Sequence, residues 1–139
     1  MVEGSPNINS NAGSFYLLSG NSGGAQWSSL GRGTILAGGA IAKIITAPAP
    51  DLAVITTTSD IAGDMNTIRR NGIPGVNGAA DLGGGDFLAY PIYIGRRAGT
   101  SLPFNGHLYG LILRFGPTLT DAQIATAEKW MAAKTGVTL

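Results

Sequence analysis

The sequence predicts an antiparallel β-sandwich that carries one α-helix near its C-terminal end. Three observations lead to this prediction. Short segments rich in β-branched, aromatic and aliphatic residues follow one another at close spacing. Turn chemistry, supplied in part by 22 glycines and 7 prolines, separates these segments. A helical pattern with both start and stop signals appears once, close to the end of the chain.

The composition indicates one soluble domain that spans residues 1–139. This length suits a single domain and is short for two of ordinary size. Apolar residues make up 44% of the chain, enough for a core, whereas charged residues make up only 12%. The formal net charge of +1 gives no electrostatic reason to expect binding to nucleic acid or to an anionic membrane.

Targeting segments and thiol chemistry are not expected. The N-terminal residues lack the basic and apolar regions of a secretory signal peptide. The most apolar stretch, residues 34–50, is interrupted by Lys43 and by two prolines, whereas a membrane-spanning helix needs about 20 apolar residues in succession. Because the chain has no cysteine, disulfides and thiolate metal sites are excluded.

Five segments in the first part of the chain have strand composition. They are residues 14–18, 26–30, 34–36, 40–46 and 52–58. Residues 47–50 contain two prolines, which cannot donate to a ladder of hydrogen bonds, so we predict a crossing loop there.

A β-hairpin is predicted around Asn71 and Gly72, which follow a strand at residues 66–70. The Asn-Gly dipeptide is the one best suited to a two-residue turn in which both φ angles are positive. The return strand should be short, because Pro74 interrupts it. Upstream of the hairpin, Asp60 and Asp64 have the character of turn residues.

Two further strands are predicted after the hairpin. A glycine-rich segment, residues 81–86, is expected to be a flexible loop, and residues 90–94 form a strand with Pro91 near its start. Residues 106–115 carry apolar side chains at both parities, so both faces of that strand are apolar. This pattern is typical of a strand inside a sandwich rather than on its surface.

The C-terminal helix is predicted over about residues 121–134. Thr120 is a good N-cap, and Gln123 three residues later completes a capping box. Gly136 suits the position just after the helix. The expected apolar stripe consists of Ile124, Ala127 and Met131, with Trp130 beside it.

Resemblance to a known family is strongest from residue 90 onward. The run from Tyr93 to Ile112 reads YIGRRAGTSLPFNGHLYGLI, and it resembles the closing strands of concanavalin A-like lectin/glucanase (laminin-G-like) domains of phage and prophage structural proteins. Residues 120–139 resemble the terminal helix of those domains, and residues 59–72 resemble their hairpin. The resemblance implies a jelly-roll-type sandwich. It also implies a place in the virion, in a tail or fibre protein, or in the bacterial cytoplasm before assembly.

The chain departs from this family at its N-terminal end. The family's domain has further strands before the position that matches Val2, so the resemblance implies an N-terminally shortened sandwich. A sandwich without those strands exposes edges and an apolar inner face. We therefore expect a homo-oligomer, or strand exchange with another virion subunit.

Catalysis is not expected. The glucanase relatives carry their acid pair in a closely spaced Glu-x-Asp-x-x-Glu run, whereas the glutamates of this chain are Glu3 and Glu128, far apart in sequence. One histidine, no cysteine and no Gly-x-Ser-x-Gly elbow leave neither a serine triad nor a zinc site. Asp81 and Asp86 are too few to hold calcium. No enzyme, metal or cofactor is therefore predicted.

Carbohydrate binding is the leading hypothesis for function. Sugar sites combine an aromatic platform with planar polar groups. The candidate residues are Tyr90, Tyr93, Arg96, Asn105 and His107, and Trp27 is a second possible platform. Aromatic residues at strand spacing are also common in cores, and Asn105-Gly106 is also typical of a plain turn.

Arg96 and Arg97 are adjacent in an extended segment, so their side chains should point to opposite faces. One of them would pin a loop to the sheet while the other faces solvent. The expected ligand is a glycan or cell-envelope polysaccharide. The alternative hypothesis is an assembly protein whose sandwich edge docks another virion subunit or self-associates.

Overall fold

The computed structural model describes residues 1–19, 26–34, 40–44 and 51–139, and for residues 40–43 it describes the backbone alone. The strands within these ranges are β1 (Val2–Glu3), β2 (Ser14–Ser19), β3 (Trp27–Arg32), β4 (Ala40–Ile44), β5 (Ile55–Asp60), β6 (Met65–Arg70), β7 (Ile73–Pro74), β8 (Gly78–Ala79) and β9 (Tyr93–Ile94). The helix α1 spans Asp121–Thr135. The predictions for residues 35–36 and 45–50 fall outside the described residues.

Across the described residues, the strands form two antiparallel sheets. The first has five strands in the order β4-β3-β2-β1-β9. The second has four strands, in which β5, β6 and β7 follow one another and β8 also pairs with β6. The prediction of an antiparallel, mostly β protein with a C-terminal helix is confirmed.

The two sheets pack against each other through one apolar cluster and a polar pair. Ile44 of the first sheet and Ile68 of the second are buried together, with Trp27 against them. Beside this cluster, the amide of Asn66 donates to the hydroxyl of Ser29 at 3.2 Å. The approach is close at Gly31, where a Cβ atom would lie 1.7 Å from Oγ of Ser59. The arrangement is therefore sandwich-like, with glycine required at the contact.

The other face of the first sheet is covered by the chain between β1 and β2. Tyr16 and Leu30 are paired across β2 and β3, so they share a face, and both pack on the fully buried Ile8. The first sheet is consequently buried on both sides over much of its area.

The predicted hairpin is confirmed at Asn71 and Gly72. Their φ angles are 50° and 78°, and the register pairs Arg70 with Ile73 across the turn. The side chain of Asn71 also accepts a hydrogen bond from the backbone N–H of Val54 at 2.9 Å. The turn therefore fixes both the hairpin and the entry to β5.

The glycine-rich loop that was expected to be flexible is anchored at its start. Leu82 is fully buried against Ile61. Its backbone N–H donates to the carboxylate of Asp64, a turn residue with a φ of 52°. Asp60, the other predicted turn residue, accepts a hydrogen bond from the N–H of Gly63.

The helix begins and ends as predicted, but a different stripe is buried. Thr120 and Gln123 form the capping box, and Gly136 ends the helix with a φ of 73°. The buried positions are Ile124, Glu128 and Ala132, whereas the predicted Ala127 and Met131 are half-buried. The prediction of an apolar stripe missed Glu128 because a carboxylate becomes compatible with burial only when a cation meets it.

Two strand predictions are wrong in extent or in kind. Residues 90–94 contribute only the two-residue strand β9. Residues 106–115 form no strand and are exposed throughout, although a strand buried on both faces was predicted. The apolar side chains of these residues would suit a strand. Within the described residues, however, no strand lies alongside them to form backbone hydrogen bonds.

In the part of the chain that the structure describes, no helix has the length and apolar character needed to cross a membrane.

Candidate functional site

A cavity of about 170 Å³ lies on the inner face of the first sheet, next to β1. Val2 pairs with Leu17 on one side and with Ile94 on the other, so these three side chains share a face and form its floor. Residues 104 and 107–111 line it from above, and Met131 and Thr135 of α1 also contribute. We call this space the aromatic cavity.

Aromatic rings line much of the cavity. Trp27 and Phe104 are in contact, with their centroids 6.3 Å apart and their planes inclined at 46°. His107 and Tyr109 form a second pair, at 6.1 Å and 32°. All four residues line the cavity. Rings held in this way offer apolar faces for a flat or ring-shaped ligand.

A fixed carboxylate provides the main polar group. Asp51 lines the cavity, accepts a hydrogen bond from Nε1 of Trp27 at 3.2 Å, and is held by the guanidinium of Arg70. The hydrogen bonds from Arg70 lower the pKa of the Asp51 carboxyl below its ordinary value, outweighing partial burial, and the bond from Trp27 adds to the lowering. Asp51 is therefore a charged acceptor at neutral pH rather than a proton donor.

The five residues predicted from the sequence are not gathered at this cavity. Within the described residues, His107 lines it and the other four do not. Tyr93 precedes Ile94 in β9, and adjacent strand residues point to opposite faces, so its ring lies on the far side of the sheet.

The remaining three lie in other environments. Arg96 is exposed and donates to the carbonyl of Gly99 at 3.1 Å. Asn105 is exposed, and Tyr90 is half-buried. The expected division of labour between the two adjacent arginines is seen, because Arg97 is tied to Glu3 while Arg96 faces solvent.

Of the aromatic and charged residues that line the cavity, three were missed from the sequence: Asp51, Phe104 and Tyr109. Tyr109 has the same parity as the candidates Asn105 and His107, and Phe104 directly precedes Asn105. The sequence therefore indicated this segment without selecting the residues of it that line the cavity. Asp51 precedes its strand without any local signal, because its role depends on Arg70, which is 19 positions away. Trp27, considered only as a second platform, forms part of the wall.

The second candidate surface is the exposed run Gly106–Phe115, which we call the 106–115 segment. Its large apolar side chains expose between 38% and 68% of their area; they are Leu108, Tyr109, Leu111, Ile112, Leu113 and Phe115. Contiguous apolar patches mark protein interaction sites, ligand grooves or surfaces prone to aggregation. Such patches are unusual on the free surface of a monomer.

Both ends of the 106–115 segment are held by the domain. Phe115 contacts the rings of Phe15 and Phe87, with centroid distances of 5.9 and 6.4 Å. Near the other end, a Cβ atom at Gly110 would lie 3.0 Å from the sulfur of Met131 in α1. The segment is therefore positioned at two points and exposed between and around them.

A metal-binding cluster is absent from the residues that the structure describes. They contain no group of three or more His, Asp or Glu side chains arranged to hold an ion.

Comparisons of the chain with models of protein families, with curated proteins and with solved structures found no match.

Proposed function

We propose that the chain is a non-catalytic module of a phage or prophage virion, in a tail or fibre protein, and that it joins other protein chains through the 106–115 segment. The observation that carries this proposal is the exposure of that segment. Apolar side chains are exposed on both faces of the segment, and its backbone has no hydrogen-bonding partner among the described residues. Natural proteins pair or cover such a strand rather than leave it in water.

The jelly-roll arrangement and the place in a virion belong to the same proposal. They rest on the resemblance of residues 93–112 and 120–139 to closing strands and terminal helix of the concanavalin A-like domains. Two antiparallel sheets followed by a helix are compatible with that resemblance.

Hydrogen exchange tests the assembly function. Backbone amides of the 106–115 segment would be compared between the dilute isolated chain and the assembled particle or complex that contains it. Slowing by about 100-fold or more in the assembly is expected, because new strand hydrogen bonds protect amides. The amides of β5 and β6, already paired within the domain, serve as the internal control. Equal and fast exchange of the segment in both samples would overturn the assembly function.

A second candidate function is the binding of a glycan or cell-envelope polysaccharide, and the aromatic cavity favours it. Trp27, Phe104, His107 and Tyr109 supply ring faces, and Asp51 supplies a charged acceptor at the same place. Aromatic faces with a few placed polar groups are what sugar sites require.

Titration against a panel of bacterial surface polysaccharides tests this second function. His107→Ala and Tyr109→Ala remove exposed rings of the cavity, so each should weaken Kd about tenfold. Arg96→Ala is the matched control, because this exposed side chain lies outside the cavity. Weakening by Arg96→Ala or Tyr93→Ala instead would place binding at the originally predicted residues. The absence of saturable binding by the folded protein would overturn the glycan function.

A further inference from the structure

The backbone of the 106–115 segment is ready to pair. The N–H of Phe104 donates to the carbonyl of Gly95, and the next backbone bond among the described residues is from Ile124 to Thr120. Residues 107–115 contain neither a turn nor a bend, and none has a positive φ. Among the described residues, the segment therefore presents an unpaired edge that is free of turns from residue 107 to 115, longer than the five or six residues of a common strand.

The apolar area of this edge is a substantial part of what a dimer requires. Aromatic side chains such as Tyr109 and Phe115 bury roughly 150–250 Å² each, and the leucines and isoleucine of the segment add to this area. At the exposures given above, the six apolar side chains leave several hundred Å² uncovered. Each partner contributes about 800 Å² to a stable interface, so these side chains would supply a large share of it.

We propose that the occupant of this edge is the same segment of a second copy of the chain, paired antiparallel with Ile112 at the two-fold axis. The inference rests on the proposed assembly function and names its partner. Two-fold symmetry is the commonest arrangement in homo-oligomers, and it lets a single surface satisfy itself.

The symmetry restricts the register. Directly opposed residues of an antiparallel pair lie on the same face. A two-fold axis perpendicular to the sheet must therefore lie midway between the two copies of one residue. Centred on Ile112, the pairing places Tyr109 opposite Phe115 of the second copy and Leu111 opposite Leu113. Gly110 then lies opposite Arg114, so the cation does not face an apolar side chain.

Other centres match the side chains less well. With the axis at Leu111, Arg114 faces Leu108 of the second copy, and a cation faces an apolar side chain. With the axis at Gly110, two glycines meet at the centre and Phe115 faces Asn105. Cross-strand aromatic and aliphatic pairs stabilise sheets, so the Ile112 register is favoured.

Charge does not oppose the pairing. Arg114 is the permanent cation of the 106–115 segment, and the segment has no acidic residue. In the Ile112 register the two Arg114 residues are offset by four positions, or about 14 Å along the strands. This distance exceeds the Debye length of about 8 Å at physiological ionic strength, so their repulsion is screened.

The first experiment measures solution mass by light scattering at about ten micromolar. We expect a species of twice the 14.2 kDa chain mass. Ile112→Lys places two like charges opposite each other and should weaken association at least 100-fold. Ile73→Lys is the matched control, because Ile73 is 69% exposed on another strand and should leave the mass unchanged. A monomeric wild type, or an Ile112→Lys variant that remains dimeric, would overturn the proposal.

The second experiment tests the register by disulfide cross-linking. Because the chain has no native cysteine, any disulfide must form through the introduced residue. Under mild oxidation, Ile112→Cys should yield a cross-linked dimer. In the proposed register, the Cβ of residue 112 lies opposite the Cβ of residue 112 in the second copy, near disulfide distance. Leu111→Cys should cross-link at least tenfold more slowly. Faster cross-linking through Leu111→Cys or Gly110→Cys would overturn the Ile112 register.

The dimer and the assembly function fail in different ways. A monomeric wild-type chain whose 106–115 segment becomes protected in the assembled particle overturns self-pairing and retains docking to another subunit. A segment that exchanges freely in the isolated chain and in the particle overturns both.

Discussion

The carboxylate of Glu3 and Nε of Arg97 form an ion pair across 94 positions of sequence, with the nitrogen shared between both carboxylate oxygens. Nε of Arg97 lies 3.0 Å from Oε1 and 2.8 Å from Oε2 of Glu3, and Glu3 has no solvent exposure. Glu3 also accepts a hydrogen bond from the backbone N–H of Ile8 at 2.9 Å. This contact ties β1, the covering segment before β2 and the chain after β9 into one unit.

Arg97→Ala should therefore be strongly destabilising. It leaves a fully buried carboxylate without its cation, which costs about 3–5 kcal/mol in the free energy of unfolding. Arg96→Ala is the control, and its exposed side chain should matter by no more than about 0.5 kcal/mol. Urea denaturation of the two variants provides the comparison. Adding Glu3→Gln to Arg97→Ala should recover part of the loss, and equal losses for both single variants would contradict the interpretation.

Gly72→Ala should lower the free energy of unfolding by about 1–2 kcal/mol, through backbone strain alone. Gly72 has a φ of 78°, and the nearest atom to an added Cβ is 3.7 Å away, so no clash contributes. Gly84→Ala is the matched control, because an added Cβ meets nothing within 4 Å and φ lies outside the left-handed region. Thermal denaturation should show a lower Tm for Gly72→Ala only. A Tm that falls equally in both variants would mean that the turn conformation is not the cause.

Removing either partner of the Arg69–Glu128 pair should have unequal effects. The atoms Nε and Oε1 are 2.9 Å apart, and the side chains are 22% and 2% exposed respectively. Arg69→Ala leaves the deeply buried carboxylate alone and should cost about 3–5 kcal/mol. Glu128→Ala leaves the Arg69 cation, which water reaches and which still donates to the carbonyl of Gly72. We therefore expect a smaller loss of about 1–3 kcal/mol in the free energy of unfolding. Chemical denaturation decides the order, and a larger loss for Glu128→Ala would contradict this account.

The Asp51–Arg70 pair should make the stability of the folded protein depend on pH in the acidic range. The pKa of Asp51 is lowered in the folded protein, so the folded state binds its proton less tightly than the unfolded state. The stabilisation is present above the ordinary carboxyl pKa of about 4 and is lost as pH falls through the lower folded value. Asp51→Asn should be less stable than wild type at about pH 7 and should approach it at about pH 2. A constant difference between the two proteins across this range would contradict the prediction.

Local signals predicted the elements whose geometry is set within a few residues. The Asn71-Gly72 turn depends on two residues that adopt positive φ, and the helix depends on Thr120, Gln123 and Gly136 at its ends. These features were predicted correctly because neighbouring residues provide both the donors and the acceptors.

Contacts between distant residues were not predictable in the same way. Glu3, Glu128 and Asp51 appeared to be isolated acidic residues, yet each is paired with an arginine supplied by another part of the chain. The sequence indicates that a carboxylate is present, but its burial depends on which cation the topology brings to it.

The candidate site was predicted in part for the same reason. The segment containing Asn105 and His107 was recognised, while the face that forms the cavity depends on strand pairing. Val2, between Leu17 and Ile94, sets that face, and no local pattern reports a register between residues so far apart.

The sequence by itself determined the chemistry of this protein: strand-forming segments, one hairpin, one capped helix and a chain without cysteine. The tertiary structure decided which side chains are buried, which carboxylates are paired and that the most regularly apolar segment lies on the surface. Apolar side chains at both even and odd positions of residues 106–115 indicate that a strand there could be buried on both faces. Whether they are covered depends on a neighbouring strand, because backbone pairing is a relation between two segments and not a property of one.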